Sequence, residues 1–285
     1  MPGSLPESNM TIEKQNILVL IVLIIGLTDC KHSQQTEIRP DFKKYYDQFD
    51  VEGSFVLHDP KSDKYVFYNP DQSEQIFSPA STFKICHSLI GLETGVIKDE
   101  HFVIPWDSVA RNPVWDKDHD LKTAFANSTV WYYQELARRV GREKMKYWLE
   151  KVNYGNADCS GDIDQFWLTG GLRISPKQQI NFLQRLHDYQ LPFSRRAVDI
   201  VKNIMITKDT LDYVIRSKTG WGGHGDKDLG WYIGYIETKE KVYYFSNCIQ
   251  IQSEKLNDLN QAIKFDNART EIVHKILDEL QLINN

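Results

Sequence analysis

Two short β-rich runs, SFVLHD (54–59) and KYVFYN (64–69), flank the turn PKSD and predict a β-hairpin near the amino-terminal end. Three more, YVIRSKT (213–219), GWYIGYIE (230–237) and KVYYFSNCIQI (241–251), lie near the other end, the last two joined by the tight TKE connection. Five predicted strands therefore bracket the chain. Between them, residues 79–205 carry apolar positions at helical spacing, as in WYYQELARRV and REKMKYWLEKV, which Gly141 separates. DFKKYYDQFD (41–50) also reads as helix. Residues 267–282 place Ile272, Val273, Ile276, Leu277 and Leu280 on one face behind Asn267 as N-cap, so this helix should pack on the sheet. The expected fold is α/β, of the α+β kind: an antiparallel sheet built from both chain ends and flanked by helices, with an inserted helical subdomain. No internal repeat and no linker follow residue 40.

Residues 17–27 (ILVLIVLIIGL) form an apolar run preceded by Lys14, too short for a stable membrane-spanning helix and suited to a signal-peptide core. It ends in Leu27-Thr28-Asp29-Cys30 and gives way to the polar tract KHSQQTEIRP. This resembles a bacterial lipoprotein signal. The resemblance implies a signal peptide over residues 1–29, lipidation of Cys30, a tether over residues 30–40, and an exported, periplasmic protein held to the membrane only through that lipid. Asp29 departs from the pattern, which has a small residue before the cysteine. Met10 is an alternative start, because residues 1–9 add nothing that a signal peptide needs. Residues 41–285 are left as one domain.

With 34 Lys plus Arg against 39 Asp plus Glu, the net charge is −5, and nothing in the balance favours nucleic acid. Cleavage before Cys30 would remove Glu7, Glu13, Asp29 and Lys14 and leave −3. A small molecule or a protein is the better default partner, and the sequence leaves the oligomeric state open. Lipidation of Cys30 leaves Cys86, Cys159 and Cys248, an odd number, so at least one thiol stays free or pairs between molecules.

Chemistry concentrates in Ser78-Pro79-Ala80-Ser81-Thr82-Phe83-Lys84. Ser78 as N-cap and Pro79 at the first helical position predict a helix start, which puts Ser81 in the first turn beside backbone N–H groups that lack intrahelical partners. Lys84, three residues on, shares that helix face. The following ICHSLIGLETG is apolar nearly all round, so the helix should be buried and the lysine amine pushed toward its neutral form. Such an amine can act as a base and can add CO2. Downstream, Ser128-Thr129-Val130 and Ser217-Lys218-Thr219-Gly220 complete an ordered S-x-x-K, S-x-V, K-T-G series.

That series, together with Tyr154-Gly155-Asn156, Phe166-Trp167-Leu168 and SKTGW, resembles the class D β-lactamases over about residues 40–285. The resemblance implies the serine β-lactamase/DD-peptidase-like fold and hydrolysis of β-lactams, penicillins and oxacillin-type compounds among them, through a Ser81 acyl-enzyme. Lys84, N-carboxylated by CO2 or bicarbonate, would be the general base, with no other cofactor and no metal. Ser128 would pass a proton to the leaving nitrogen with Lys218 assisting. Trp167 would steady the carbamate and Val130 would wall off the lysine. Trp221 would complete the oxyanion hole, while Thr219, Gly220, Tyr154, Asn156 and Arg269 would line the substrate site, Arg269 standing just before the last helix. Asn112 and Gly223 stand where some carbapenem-hydrolysing relatives carry an aromatic and a methionine, so no roof over the site is expected. The alternative on the same fold is a penicillin-binding sensor or DD-peptidase-like protein that is acylated without efficient turnover.

Four other patterns carry no function. Residues 220–225 fit G-x-G-x-x-G, yet a strand follows and no βαβ unit surrounds them. Asp116, Asp118 and Asp120 imitate a calcium loop, but Leu121 takes the glycine position and Asn127 the terminal glutamate position. Cys86 reads as core and Arg138-Arg139 as a solvated face.

Overall fold

The computed structural model describes residues 1–4 and 34–283; the apolar run and Cys30 lie outside them. In chain order the elements are β1 (Gln35–Ile38), α1 (Lys43–Asp47), β2 (Glu52–Asp59), β3 (Lys64–Tyr68), α2 (Pro70–Ser73), α3 (Lys84–Glu93), α4 (Leu121–Ala126), α5 (Val130–Val140) and α6 (Arg142–Val152). Then follow α7 (Pro176–His187), α8 (Arg195–Ile204), β4 (Ile206–Asp209), β5 (Tyr213–His224), β6 (Lys227–Thr238), β7 (Val242–Gln252) and α9 (Leu259–Glu279). The sheet runs β1-β3-β2-β7-β6-β5-β4, so both chain ends build it and the segment from α3 to α8 is inserted between them.

Two of the seven strands escape the sequence reading, and both are edges. β1 lies inside the segment read as a tether and pairs parallel with β3, which makes the sheet mixed where a purely antiparallel one was expected. β4 pairs antiparallel with β5 across a bulge near Thr207. Neither buries a face: β1 has three exposed residues of four and β4 is exposed throughout, so no period-2 signal marks them.

One face of the sheet packs on α1 and α9 through Phe42, Tyr46, Phe265, Ile272 and Ile276. The other packs on the helical insertion, with α3 at its centre, through Ile85, Leu89, Tyr132, Leu136, Ile180 and Leu183. Every α3 residue from Lys84 to Leu92 is buried, as its unbroken apolar run requires. Helix α9 starts eight residues before the predicted cap: Asp258 accepts from Asn260 N at 2.7 Å and Gln261 N at 3.1 Å. Asn267 is therefore interior, and Arg269 sits within the helix rather than ahead of it. The first turns were invisible to the apolar stripe because their contacts to the sheet begin only at Phe265.

Candidate active site

The helix start at Ser81 differs from expectation. Ser78 does not cap it; its Oγ donates to the carbonyls of Trp167 and Leu168, both at 2.9 Å. Ala80 takes a left-handed φ of 47° and donates its N–H to the Trp167 carbonyl at 3.1 Å, then residues 80–83 make a 3-10 turn before α3 begins at Lys84. At three residues per turn, positions i and i+3 eclipse, which stacks Lys84 directly over Ser81. Lys84 Nζ lies 2.8 Å from Ser81 Oγ. The amine is 0% exposed, and burial, with Lys218 adding repulsion, holds its pKa well below the ordinary lysine value. The Tyr133 ring, 5.1 Å from Nζ, favours the cation but does not overcome that desolvation.

Ser128 occupies the corner between α4 and α5 with φ 55°, the second left-handed non-glycine residue next to the site. Its Oγ accepts from Lys218 Nζ at 2.6 Å, and the same amine also donates to the Thr219 carbonyl at 3.1 Å. Burial, then the nearby Arg269 charge, lowers the Lys218 pKa to about 7. Lys218, Thr219, Gly220 and Trp221 lie on β5 against the turn that carries Ser81. A Cβ on Gly220 would stand 3.2 Å from Thr82 Cγ2 and 3.3 Å from the Pro79 carbonyl, so glycine permits that close approach. Val130 is half-buried at the first position of α5.

Arg269 reaches β5 from α9. Its Nη1 donates to the Gly220 carbonyl at 3.2 Å, Nη2 pairs with Asp266, and its guanidinium lies 5.5 Å from the Trp221 ring. The stem crosses Gly230, where any Cβ would come within 2.7 Å of Arg269 Cγ. Burial lowers this arginine's pKa, partly offset by Asp266. A planar guanidinium beside Thr219 suits a carboxylate.

Trp167 comes from the loop between α6 and α7. It is fully buried, edge-on to His87 at 5.2 Å, and its Nε1 has no protein partner. Tyr154 and Asn156, read as substrate-binding, make no hydrogen bond to Ser81, Lys84, Ser128 or Lys218 among the described residues. The Tyr154 ring is 0% exposed against Phe83 and Phe182. Asn156 Nδ2 donates to the Gly171 carbonyl at 2.9 Å, and its Oδ1 accepts from Arg173 N at 2.9 Å. Between them Gly155, at φ 54°, would bring a Cβ within 2.0 Å of the Arg173 carbonyl. Gly155→Ala should therefore lower stability by about 2 to 4 kcal/mol, seen as a lower Tm.

Several residues that hold the site gave no sequence signal. Trp231 Nε1 donates to the Ser78 carbonyl at 3.0 Å, and Gln179 Nε2 reaches Thr82 Oγ1 at 2.9 Å, so β6 and α7 both brace the turn that carries Ser81. The imitation calcium loop is explained by backbone capping: Asp116 accepts from Arg111 N, Asp118 from Trp106 N, and Asp120 caps α4. Arg138 and Arg139 share Glu135 on the surface. Strand β5 continues through Gly222 and Gly223 to His224, and the hairpin to β6 turns at Gly225, φ 65°. Cys86, Cys159 and Cys248 are all free and buried.

A cavity of about 260 Å³ lined by Phe125, Ile204, Thr207, Lys218, Thr219 and Thr270 borders the Lys218-Thr219 segment. The larger cavity, about 520 Å³, lies elsewhere, beside Asp50, Glu52, Lys227 and Lys255, which pair with one another. Among the described residues no group of His, Cys, Asp and Glu is placed to hold a metal.

Comparison with known proteins agrees with this geometry. Residues 53–278 match the penicillin binding protein transpeptidase domain. The probable beta-lactamase YbxI of Bacillus subtilis is 41% identical over 215 residues, 75% of this chain and 80% of its own length. Beta-lactamase OXA-48 of Klebsiella pneumoniae is 38% identical over 245 residues, 86% of this chain and 92% of its own. The crystal structure of a class D beta-lactamase from Sebaldella termitidis superposes with a TM-score of 0.83 at 37% identity, covering 88% of this chain and 100% of that one.

Proposed function

Because this chain belongs to the penicillin-binding protein transpeptidase family and, within it, to the class D β-lactamases, metal-independent serine hydrolases of cyclic amides, we propose that it opens the β-lactam ring as an ester on Ser81 and hydrolyses that ester with carboxylated Lys84 as base. The 2.8 Å contact between the buried Lys84 amine and Ser81 Oγ carries this reading. The surroundings fit the modification, since burial pushes the amine pKa well below the ordinary lysine value and the Trp167 indole N–H, one residue removed across His87, has no protein partner. Ser81 and Trp167 would hold the added carboxylate, which supplies an oxygen base for both acylation and deacylation.

Ser81 Oγ gives its proton toward Lys84 and attacks the lactam carbonyl, whose oxygen is received by the Ser81 and Trp221 N–H groups. Ser128 passes a proton to the leaving nitrogen, and Lys218, with a pKa near 7, replaces it. Arg269 and Thr219 receive the substrate carboxylate. Val130 keeps bulk water from the lysine.

Purified enzyme with bicarbonate should turn over a chromogenic cephalosporin and show only a transient mass increment on Ser81. A stable increment without turnover would favour the penicillin-binding sensor. We also assign export and a lipid anchor at Cys30, on the apolar run before it. Cys30→Ser should move the protein from membranes to the soluble exported fraction with activity unchanged; wild-type protein already soluble would refute the anchor.

A further inference from the structure

We propose that His87 is a positioning residue for Lys84: its ring N–H, together with the Trp167 indole N–H, holds the carboxylated head of the lysine. This rests on the carboxylation reading above and adds a residue of this chain to it.

The imidazole is 0% exposed, and neither Nδ1 nor Nε2 has a protein partner. Buried polar atoms are nearly always hydrogen-bonded, and an apolar side chain would fill the same space without the desolvation cost. Ile85, Cys86, Leu89 and Ile90 do so along the same helix. An imidazole retained among them points to a polar group in its surroundings.

His87 lies one turn after Lys84, on the same helix face. Its ring packs against Phe83 at 5.3 Å, Tyr133 at 5.3 Å and Trp167 at 5.2 Å. Tyr133 is also the ring 5.1 Å from Lys84 Nζ, so lysine and imidazole border one aromatic chamber. Trp167 Nε1, on the same wall, is likewise without a partner. Burial and the Lys84 charge push the His87 pKa down to about 3, which leaves the ring neutral with one donor and one acceptor nitrogen. On carboxylation the amine lone pair forms a bond to the carbon of CO2 and one amine proton leaves to solvent. The product is an anion with two carboxylate oxygens. The chamber offers two N–H donors, one from His87 and one from Trp167.

The test titrates the enzyme with 13C-bicarbonate and follows the lysine carbamate carbon by NMR, a readout independent of turnover. His87→Leu should raise the bicarbonate concentration for half-occupancy by about tenfold, as expected for one lost hydrogen bond, whereas His87→Asn, which keeps an N–H, should stay near wild type. In 15N-histidine-labelled wild-type protein, the His87 ring N–H resonance, assigned by its contacts to the Trp167 and Tyr133 rings, should shift as bicarbonate is added; this arm needs no variant to fold. A motionless resonance, or His87→Leu with wild-type occupancy, overturns the role of His87 alone. Absence of any carbamate signal in wild type overturns the carboxylation reading and this inference with it.

Discussion

Lys84→Ala should lower kcat/KM for a penicillin by about 10² to 10⁴-fold, the range that a positioned proton acceptor contributes. Any acylation that remains should leave an ester on Ser81 that intact-protein mass spectrometry finds long after substrate is gone. The reason lies in the stacking of lysine on serine at 2.8 Å within a buried setting: no other protein group is hydrogen-bonded to Ser81 Oγ among the described residues, so deacylating water would have no acceptor. In wild type, activity should decline as pH falls, because the pKa of Lys84 is lowered by burial and acid both protonates the amine and reverses carboxylation. Bicarbonate should restore it on the acid side. Activity that is flat with pH and indifferent to bicarbonate, or rapid ester turnover in Lys84→Ala, would remove the lysine from the base role.

Arg269→Ala should reduce kcat/KM for penicillins by about 30- to 1,000-fold, the equivalent of about 2 to 4 kcal/mol for one partner of a desolvated charge pair. Most of the loss should appear in KM, since the carboxylate is held alike in the ground and transition states. Arg269 lies over Gly230 and donates to Gly220, so the guanidinium is fixed beside the Lys218-Thr219 segment before substrate arrives. Arg269→Lys keeps the charge but loses the planar fork and should fall between the two. Steady-state kinetics on a substrate ester lacking the carboxylate supplies the control: there, wild type and Arg269→Ala should differ little. Unchanged kcat/KM on the free acid would transfer the role to another residue.

What the sequence by itself determined follows from local periodicity. Residues 54–59, 64–69, 213–219, 230–237 and 241–251 each bury a face and so announced their strands, and the all-apolar run after Lys84 announced a buried helix. The serine, both lysines and the K-T-G strand were legible because their chemistry depends on residue type at fixed spacing. Tertiary structure decided the rest. The edge strands β1 and β4 exist only through pairing with neighbours. Ser78, a local cap by its spacing, bonds instead to carbonyls of Trp167 and Leu168, far along the chain. Tyr154 and Asn156, adjacent in sequence to nothing catalytic, are claimed by the core and by the loop carrying Gly171 and Arg173. His87, Gln179 and Trp231 carry no spacing rule, because their roles come from aromatic rings, the Thr82 hydroxyl and the Ser78 carbonyl, which the tertiary fold brings to them. A chain can encode its own periodicity in neighbouring residues, whereas the polarity of a closed chamber is set only when distant segments meet.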